Sequence, residues 1–179
     1  FFCFTILIFD SLLQYFFNHN ILGFPYSGGR LSSFFGEEHK LGSYFSRMMP
    51  LLFAISAMYC YKNKLEYYFC IFALFFSDTI IFLSGERTAF FYAILFSIAV
   101  ILLIQKYRLI RFLTIISSFI LLTLITINSN DIKTRMIDKT LVQISEVNNI
   151  FTFTAQHDTV YKSSLKMFKD NFIFGIGPK

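Results

Sequence analysis

Three apolar runs follow one another closely: Tyr67–Leu83 reads YYFCIFALFFSDTIIFL, Ala89–Gln105 reads AFFYAILFSIAVILLIQ and Phe112–Ile127 reads FLTIISSFILLTLITI. A helix rises about 1.5 Å per residue, so roughly 20 mostly apolar residues cross the hydrocarbon core of a bilayer. Each run approaches that length, and none shows the polar face at 3.6-residue spacing that a helix of a water-soluble bundle presents. Reading outward adds two more such runs, Phe2–Phe17 and Tyr44–Tyr61. The expected fold is all-α: a polytopic transmembrane helix bundle of five spans over 1–128, with a loop at 18–43 and a partly helical polar segment over 129–179.

Composition points the same way. Of 179 residues, 55% are hydrophobic and 15% charged, against about 25% charged in ordinary soluble domains. Phe is the extreme residue, at 26 positions, and Trp is absent. The chain opens Phe1-Phe-Cys-Phe4 and stops after Gly177-Pro178-Lys179, so it reads as a fragment of a longer protein. Sixteen basic and eleven acidic residues give +5, with no dense basic run to suggest nucleic acid. Cys3, Cys60 and Cys70 fall inside apolar runs and read as small core residues rather than a disulfide framework or metal site. The first run lacks the basic start and small-residue cleavage site of a secretory signal.

Orientation follows from loop charge, because basic residues in short loops stay on the cytoplasmic side. Lys62 and Lys64 lie in one short connector, and Lys106, Arg108 and Arg111 in another. Five crossings put these connectors on one side, assigned inside. Outside then fall the loop 18–43, the turn Ser84–Thr88 and the segment after Asn128, which carry Arg30, Arg87 and most of the Gly, His and acidic residues. Beyond Ser129, Ile137, Leu141 and Ile144 recur at helical spacing, as do Tyr161, Leu165 and Phe168. These predict two short amphipathic helices, the second capped by Asp158 and broken by the turn Phe174-Gly-Ile-Gly-Pro178.

Several polar residues stand where a membrane tolerates few. Asp10 and Gln14 are one helical turn apart and share a face. A charge at mid-span costs roughly 2.5–3.5 kcal/mol, so Asp10 is expected to be bonded within the bundle, for packing or for function. Asp78 lies near the outer end of its span and is expected to pair with Arg87 across the turn. Arg30 follows Ser27-Gly-Gly29, and Arg87 closes Ser84-Gly-Glu-Arg87. Arginine offers a planar fork of donors that suits bidentate contact with phosphate, and adjacent glycine lets backbone approach a ligand. Each arginine alone is as well explained as an anchor at a span end. Arg47, one turn before Pro50, is a further candidate of either kind. In Glu37-Glu-His-Lys40 a carboxylate or imidazole could accept a proton, although a solvated loop explains the run equally. His19 and His157 read as surface residues. Neither metal-ligand spacing nor a Gly-rich nucleotide loop is evident.

Three pieces in order resemble bacterial O-antigen polymerases and O-antigen ligases. The first is Asp10-x-x-x-Gln14, Gly23, Gly29-Arg-Leu-Ser-Ser-Phe-Phe-Gly-Glu-Glu38, Leu41-Gly-Ser-Tyr44 and Arg47-x-x-Pro50. The second is Leu83-Ser-Gly-Glu-Arg-Thr88. The third, Lys166-Met-Phe-Lys-Asp-Asn-Phe-Ile-Phe-Gly-Ile-Gly-Pro178, resembles the start of that family's large periplasmic loop. The resemblance implies a multi-pass glycosyltransferase of the bacterial inner membrane with the C-type architecture, its motif loops facing the periplasm. The implied donor is a glycan on undecaprenyl diphosphate, the acceptor a glycan or the lipid A core, and no metal or nucleotide sugar is needed. Arg30 and Arg87 match the motif arginines implied to hold the diphosphate. With Arg47 and Glu86 they make up the expected substrate-binding set. Glu86 stands where many ligases carry Ser or another residue, which leans towards a polymerase. The histidine often assigned as catalytic in the ligases lies later in the large loop, so its role does not pass to His157. Two other classes remain open on the residues alone: a transporter using Asp10 and Asp78, and a non-catalytic subunit of a polysaccharide assembly complex.

Overall fold

The computed structural model describes residues 2–26, 29–59, 64–145 and 155–172. Among them the regular elements are all helical, with one isolated antiparallel bridge between His19 and Pro25. The helices are α1 (Phe2–Phe17), α2 (Leu41–Tyr59), α3 (Lys64–Leu83), α4 (Arg87–Leu103), α5 (Arg108–Asn128), α6 (Asn130–Lys133), α7 (Lys139–Ser145) and α8 (Ala155–Asp170). The chain divides into two compact units, 1–135 and 136–179. Residues 129–135 therefore belong with the helix bundle rather than with the segment that follows. Among the described residues one helical stretch, Gln105–Asn128, is long and apolar enough to cross a membrane, and Phe2–Phe17, Tyr68–Leu83 and Arg87–Leu103 are shorter apolar helices.

In the first unit α3 is central, packing against α1, α2, α4 and α5. The distribution of polarity over its neighbours is unusual. On α5 the buried positions are Arg111, Thr114, Ser118, Leu122 and Thr126, while Phe112, Leu113, Ile116, Phe119, Ile120, Leu124 and Ile127 face outward. A polar stripe at helical spacing thus exists on α5, contrary to the sequence reading, and it points inward. On α4 the buried residues Ala89, Ala93 and Ser97 recur every four positions. Small residues at that spacing let helix backbones approach closely, as they do where lipid removes the hydrophobic drive for association.

The inward polar groups are paired. Arg111 is fully buried and grips Asp78 through two bonds, Nη2 to Oδ1 at 2.8 Å and Nη1 to Oδ2 at 2.9 Å. Its Nη2 also donates to Ser97 Oγ at 2.6 Å, and its guanidinium lies 5.7 Å from the Phe96 ring centroid. Two expectations are corrected. Asp78 pairs with Arg111 and not with Arg87, and Arg111 is a core residue rather than a loop charge. The basic content of the 104–111 connector is left to Lys106 and to Arg108, whose Nε donates to the α4 carbonyl of Ile101 at 2.6 Å. Cys70 is buried as expected, Cys3 is exposed, and Cys60 lies outside the described residues.

Asp10 and Gln14 hold the loop between α1 and α2. Both are fully buried. Asp10 accepts from the Ile21 amide at 3.0 Å, from Asn20 Nδ2 at 3.5 Å and from Ser33 Oγ. Gln14 Oε1 accepts from the amides of Ser32 at 3.0 Å and Ser33 at 2.7 Å, and its Nε2 donates to the Phe24 carbonyl at 3.3 Å. Ser33 has a left-handed backbone, φ 49°. Such a conformation costs about 1–2 kcal/mol for a residue with a side chain, and bonds to its amide, carbonyl and hydroxyl hold it in place. The loop is a folded element moored to α1, and its far end meets the bundle where the Leu31 amide donates to the Leu83 carbonyl at 3.2 Å.

Helix α2 enters against the α3–α4 turn. A Cβ on Gly42 would collide with Ser84 Oγ and come within 3.2 Å of Glu86 Cβ. Gly42→Ala is therefore expected to destabilise by about 1–3 kcal/mol, the usual cost of overpacking. Ser84→Ala added to it should recover part of the loss. Thermal unfolding of the single and double variants checks this, and a Gly42→Ala protein as stable as wild type would contradict it.

The second unit contains α7 and α8, joined to the first through a π-helical turn at Thr134–Asp138. Helix α8 carries Tyr161, Leu165 and Phe168 along one exposed stripe, and the ring of Phe172, in the turn that follows, lies 4.9 Å from that of Phe168. Asp158 lies inside α8 rather than capping it, since the helix begins at Ala155. The expected turn at 174–178 lies outside the described residues.

Candidate functional site

The turn Ser84-Gly85-Glu86 between α3 and α4 is the point on which the charged residues converge. Gly85 has φ 70°, the left-handed backbone that glycine adopts freely. A side chain there would also meet Arg135 Nε at 2.6 Å and Arg30 Cγ at 3.3 Å. Arg30, delivered by the moored loop, and Arg135, delivered by the turn after α6, thus lie over the same glycine. Arg135 Nε makes a long contact of 3.5 Å with the Gly85 carbonyl. Arg87 begins α4 directly after the turn. Burial holds the Arg135 guanidinium below the usual arginine range, and the positive charges of Arg30 and Arg87 push in the same direction.

Glu86 stands beside this cluster but serves another element. Its Oε1 accepts from the Gly42 amide at 2.8 Å, and its Oε2 accepts from the Ser43 amide at 3.1 Å and from Ser43 Oγ. The first amides of a helix have no partner within it, and Glu86 supplies one from a distant turn. It makes no side-chain capping bond to its own helix, α4. The positive end of α4 therefore adds to Arg87 at its first residue. The geometry gives Glu86 a positioning role, fixing α2 against the arginine turn. Arg47 lies on a different element from the other arginines, helix α2. It is exposed on α2 and lines an open depression of about 440 Å³ with Phe35, Lys40, Ser43, Tyr44 and Met48.

Unmet hydrogen-bonding capacity is concentrated at the cluster. Among the described residues the buried side-chain atoms without a hydrogen-bond partner are Tyr26 Oη, Arg30 Nε and His39 Nδ1. Each unpartnered buried polar group costs about 1–3 kcal/mol, and native proteins carry few of them. The deeper polar residues Asp10, Gln14, Asp78 and Arg111 are all bonded, so the shortfall is local. Burial, then Tyr15 and Asp131, push the Tyr26 phenol up to about 12, with Arg135 opposing. Tyr26 therefore stays a neutral O–H group. Burial lowers His39 below the ordinary imidazole value, followed by Arg30 and Arg135, with Glu86 opposing. Of the run Glu37–Lys40, Glu37 is exposed and Glu38 pairs with Lys40 at 2.7 Å on the surface. His39 alone of the four has a buried side-chain atom without a partner.

The structure thus sets Arg30 over Gly85, two residues before Arg87, places Arg47 in a neighbouring depression and gives Glu86 to the α2 terminus. Sequence reasoning missed Arg135. The available signal was a basic residue just beyond α5, on the side already assigned to Arg30 and Arg87. Among the described residues no group of three or more His, Cys, Asp and Glu side chains could hold a metal ion. No family model, curated protein or solved structure matches this chain.

Proposed function

We propose that this chain is part of a multi-pass membrane glycosyltransferase that transfers or polymerises undecaprenyl-diphosphate-linked oligosaccharide in surface polysaccharide synthesis. The single observation that carries the reading is the convergence of Arg30 and Arg135 on Gly85, two residues before Arg87, with Arg30 Nε buried and unpartnered and Arg135 feeling the charge of both other arginines. Clustered guanidinium groups beside a helix N-terminus favour an anion rich in oxygen acceptors, and a diphosphate supplies them. The motif residues that resemble O-antigen polymerases and ligases include two of these three arginines, which directs the choice among anions to a lipid-linked diphosphate.

A membrane setting is supported by the outward apolar faces of α4 and α5, the small-residue contacts of α4, and the spanning length of Gln105–Asn128. The proposed orientation puts the arginine turn on the periplasmic side of the bacterial inner membrane. The chemistry is substitution at an anomeric carbon: the acceptor hydroxyl forms the new C–O bond while the diphosphate leaves with the electron pair. Preorganised cations stabilise the charge that develops on the leaving group. A transporter running through Asp10 and Asp78 fits less well, since both carboxylates are engaged in bonds that hold the fold.

The test is the whole protein reconstituted in lipid bilayers with its lipid-linked oligosaccharide. Glycan transfer with release of undecaprenyl diphosphate is expected. Movement of substrate across the bilayer with no new glycosidic bond would overturn the reading.

A further inference from the structure

Beside the arginine turn stands the imidazole of His39, with a buried Nδ1 that has no hydrogen-bond partner. His39 lies just before α2, whose entry is fixed by the Gly42 and Ser43 amides donating to Glu86 and by the contact of Gly42 with Ser84. Its own backbone is held on both sides, with the Glu38 amide donating to the Phe35 carbonyl at 3.1 Å and the Tyr44 amide to the Lys40 carbonyl at 3.0 Å. The residue stands three positions before Gly42, whose amide donates to Glu86 of the turn, and its ring feels the charges of Arg30, Arg135 and Glu86. The two orphaned atoms there are complementary. Arg30 Nε–H is a donor looking for an acceptor, as a diphosphate oxygen is, and a ring nitrogen of neutral His39 can accept from a hydroxyl.

We propose that His39 is the catalytic base that takes the proton from the attacking acceptor hydroxyl, in the same site where the arginines hold the departing diphosphate. The inference rests on the lipid-diphosphate reading above. In the step, the acceptor oxygen bonds to the anomeric carbon and its proton passes to a His39 ring nitrogen. The bond from that carbon to the diphosphate oxygen breaks, and the electron pair leaves with the diphosphate. The imidazolium then returns its proton to solvent.

The charged groups around His39 decide its protonation. Arg30 on the loop and Arg135 after α6 disfavour imidazolium, Glu86 on the turn favours it, and Glu38 and Lys40 pair with each other beside it. Burial adds to the arginine effect, so the ring is neutral at pH 7 and its protonation lies below the ordinary value of 6.5. A base of this kind works above its pKa, so turnover is expected to fall as pH drops through a value below 6.5 and to be flat above it.

The experiment compares His39→Gln, His39→Ala and Arg30→Lys in the membrane-embedded protein, measuring turnover against pH and, separately, binding of a polyprenyl diphosphate. Loss of about a hundredfold or more in turnover by His39→Gln is expected, with diphosphate binding unchanged and the acid limb gone. Added imidazole should restore part of the His39→Ala rate, a readout that a merely structural role would not give. Should His39→Gln reduce protein level, the His39→Ala rates per molecule with and without imidazole decide. Turnover of His39→Gln within a few-fold of wild type with the same acid limb, or a depressed His39→Ala rate that imidazole leaves unchanged, overturns the base. If Arg30→Lys is impaired in either case, the diphosphate grip still stands. If Arg30→Lys binds and turns over as wild type does, the lipid-diphosphate reading fails and takes this inference with it.

Discussion

Arg111→Met is expected to cost about 3–5 kcal/mol, because it leaves the Asp78 carboxylate buried without its partner. The bond is bidentate, Ser97 joins it, and Arg111 has no exposed surface. Asp78→Leu alone should be as damaging, since it strands the guanidinium. Combining the two is expected to recover most of the loss, because a buried ion pair replaced whole by apolar side chains of similar volume is often neutral or better. Protein level in membranes and denaturant unfolding of the four proteins check the cycle. An Arg111→Met protein of wild-type stability would show that the pair does not hold α3 against α5.

Arg30→Lys and Arg87→Lys should each lower glycan transfer by about a hundredfold, the size of effect seen when one preorganised donor to a developing oxyanion is removed. Lysine keeps the charge but loses the planar fork, so the loss measures geometry and not attraction at a distance. Neither change disturbs the ion pair of the core, and protein level should stay near wild type. Arg47→Lys is expected to cost much less, since Arg47 lines the neighbouring depression rather than the Gly85 turn. Product ladders from cells carrying each variant at equal protein level provide the comparison. Equal ladders from Arg30→Lys and wild type would remove Arg30 from the site.

The helices were legible because long apolar runs and their boundaries are properties of local sequence. Ser84-Gly85-Glu86 ends one run and starts the next, and the structure puts α3 to Leu83 and α4 from Arg87. Loop charge likewise grouped Arg30 with Arg87. What escaped was side-chain direction and long-range pairing. Thr114, Ser118 and Thr126 stand singly in an apolar run, yet with Arg111 and Leu122 they form the inward face of α5. Arg111 follows Lys106 and Arg108 closely in sequence, whereas one more turn of helix carries it into the core. Asp78 was close in sequence to Arg87, but its partner lies on α5, and only packing of α3 against α5 and α4 decides that. Glu86 stands beside Arg87 in sequence, and its engagement with α2 depends on a helix forty residues earlier that sequence proximity does not reveal. The mooring role of Asp10 and Gln14 was half legible: their shared face was apparent, their partners at Ile21, Ser32 and Ser33 were not.

Guanidinium groups from the α1–α2 loop, the start of α4 and the turn after α6 together hold a diphosphate in the mechanism proposed. The most direct test is equilibrium binding of a fluorescent polyprenyl diphosphate, with the matching polyprenol as control, to the protein in nanodiscs. Wild type should bind the diphosphate at least about tenfold more tightly than the alcohol, or roughly 1.4 kcal/mol, and combined Arg30→Lys, Arg87→Lys and Arg135→Lys should abolish that preference. Equal affinity of the wild type for alcohol and diphosphate, or a preference untouched by the triple replacement, would mean that these arginines do not hold a diphosphate.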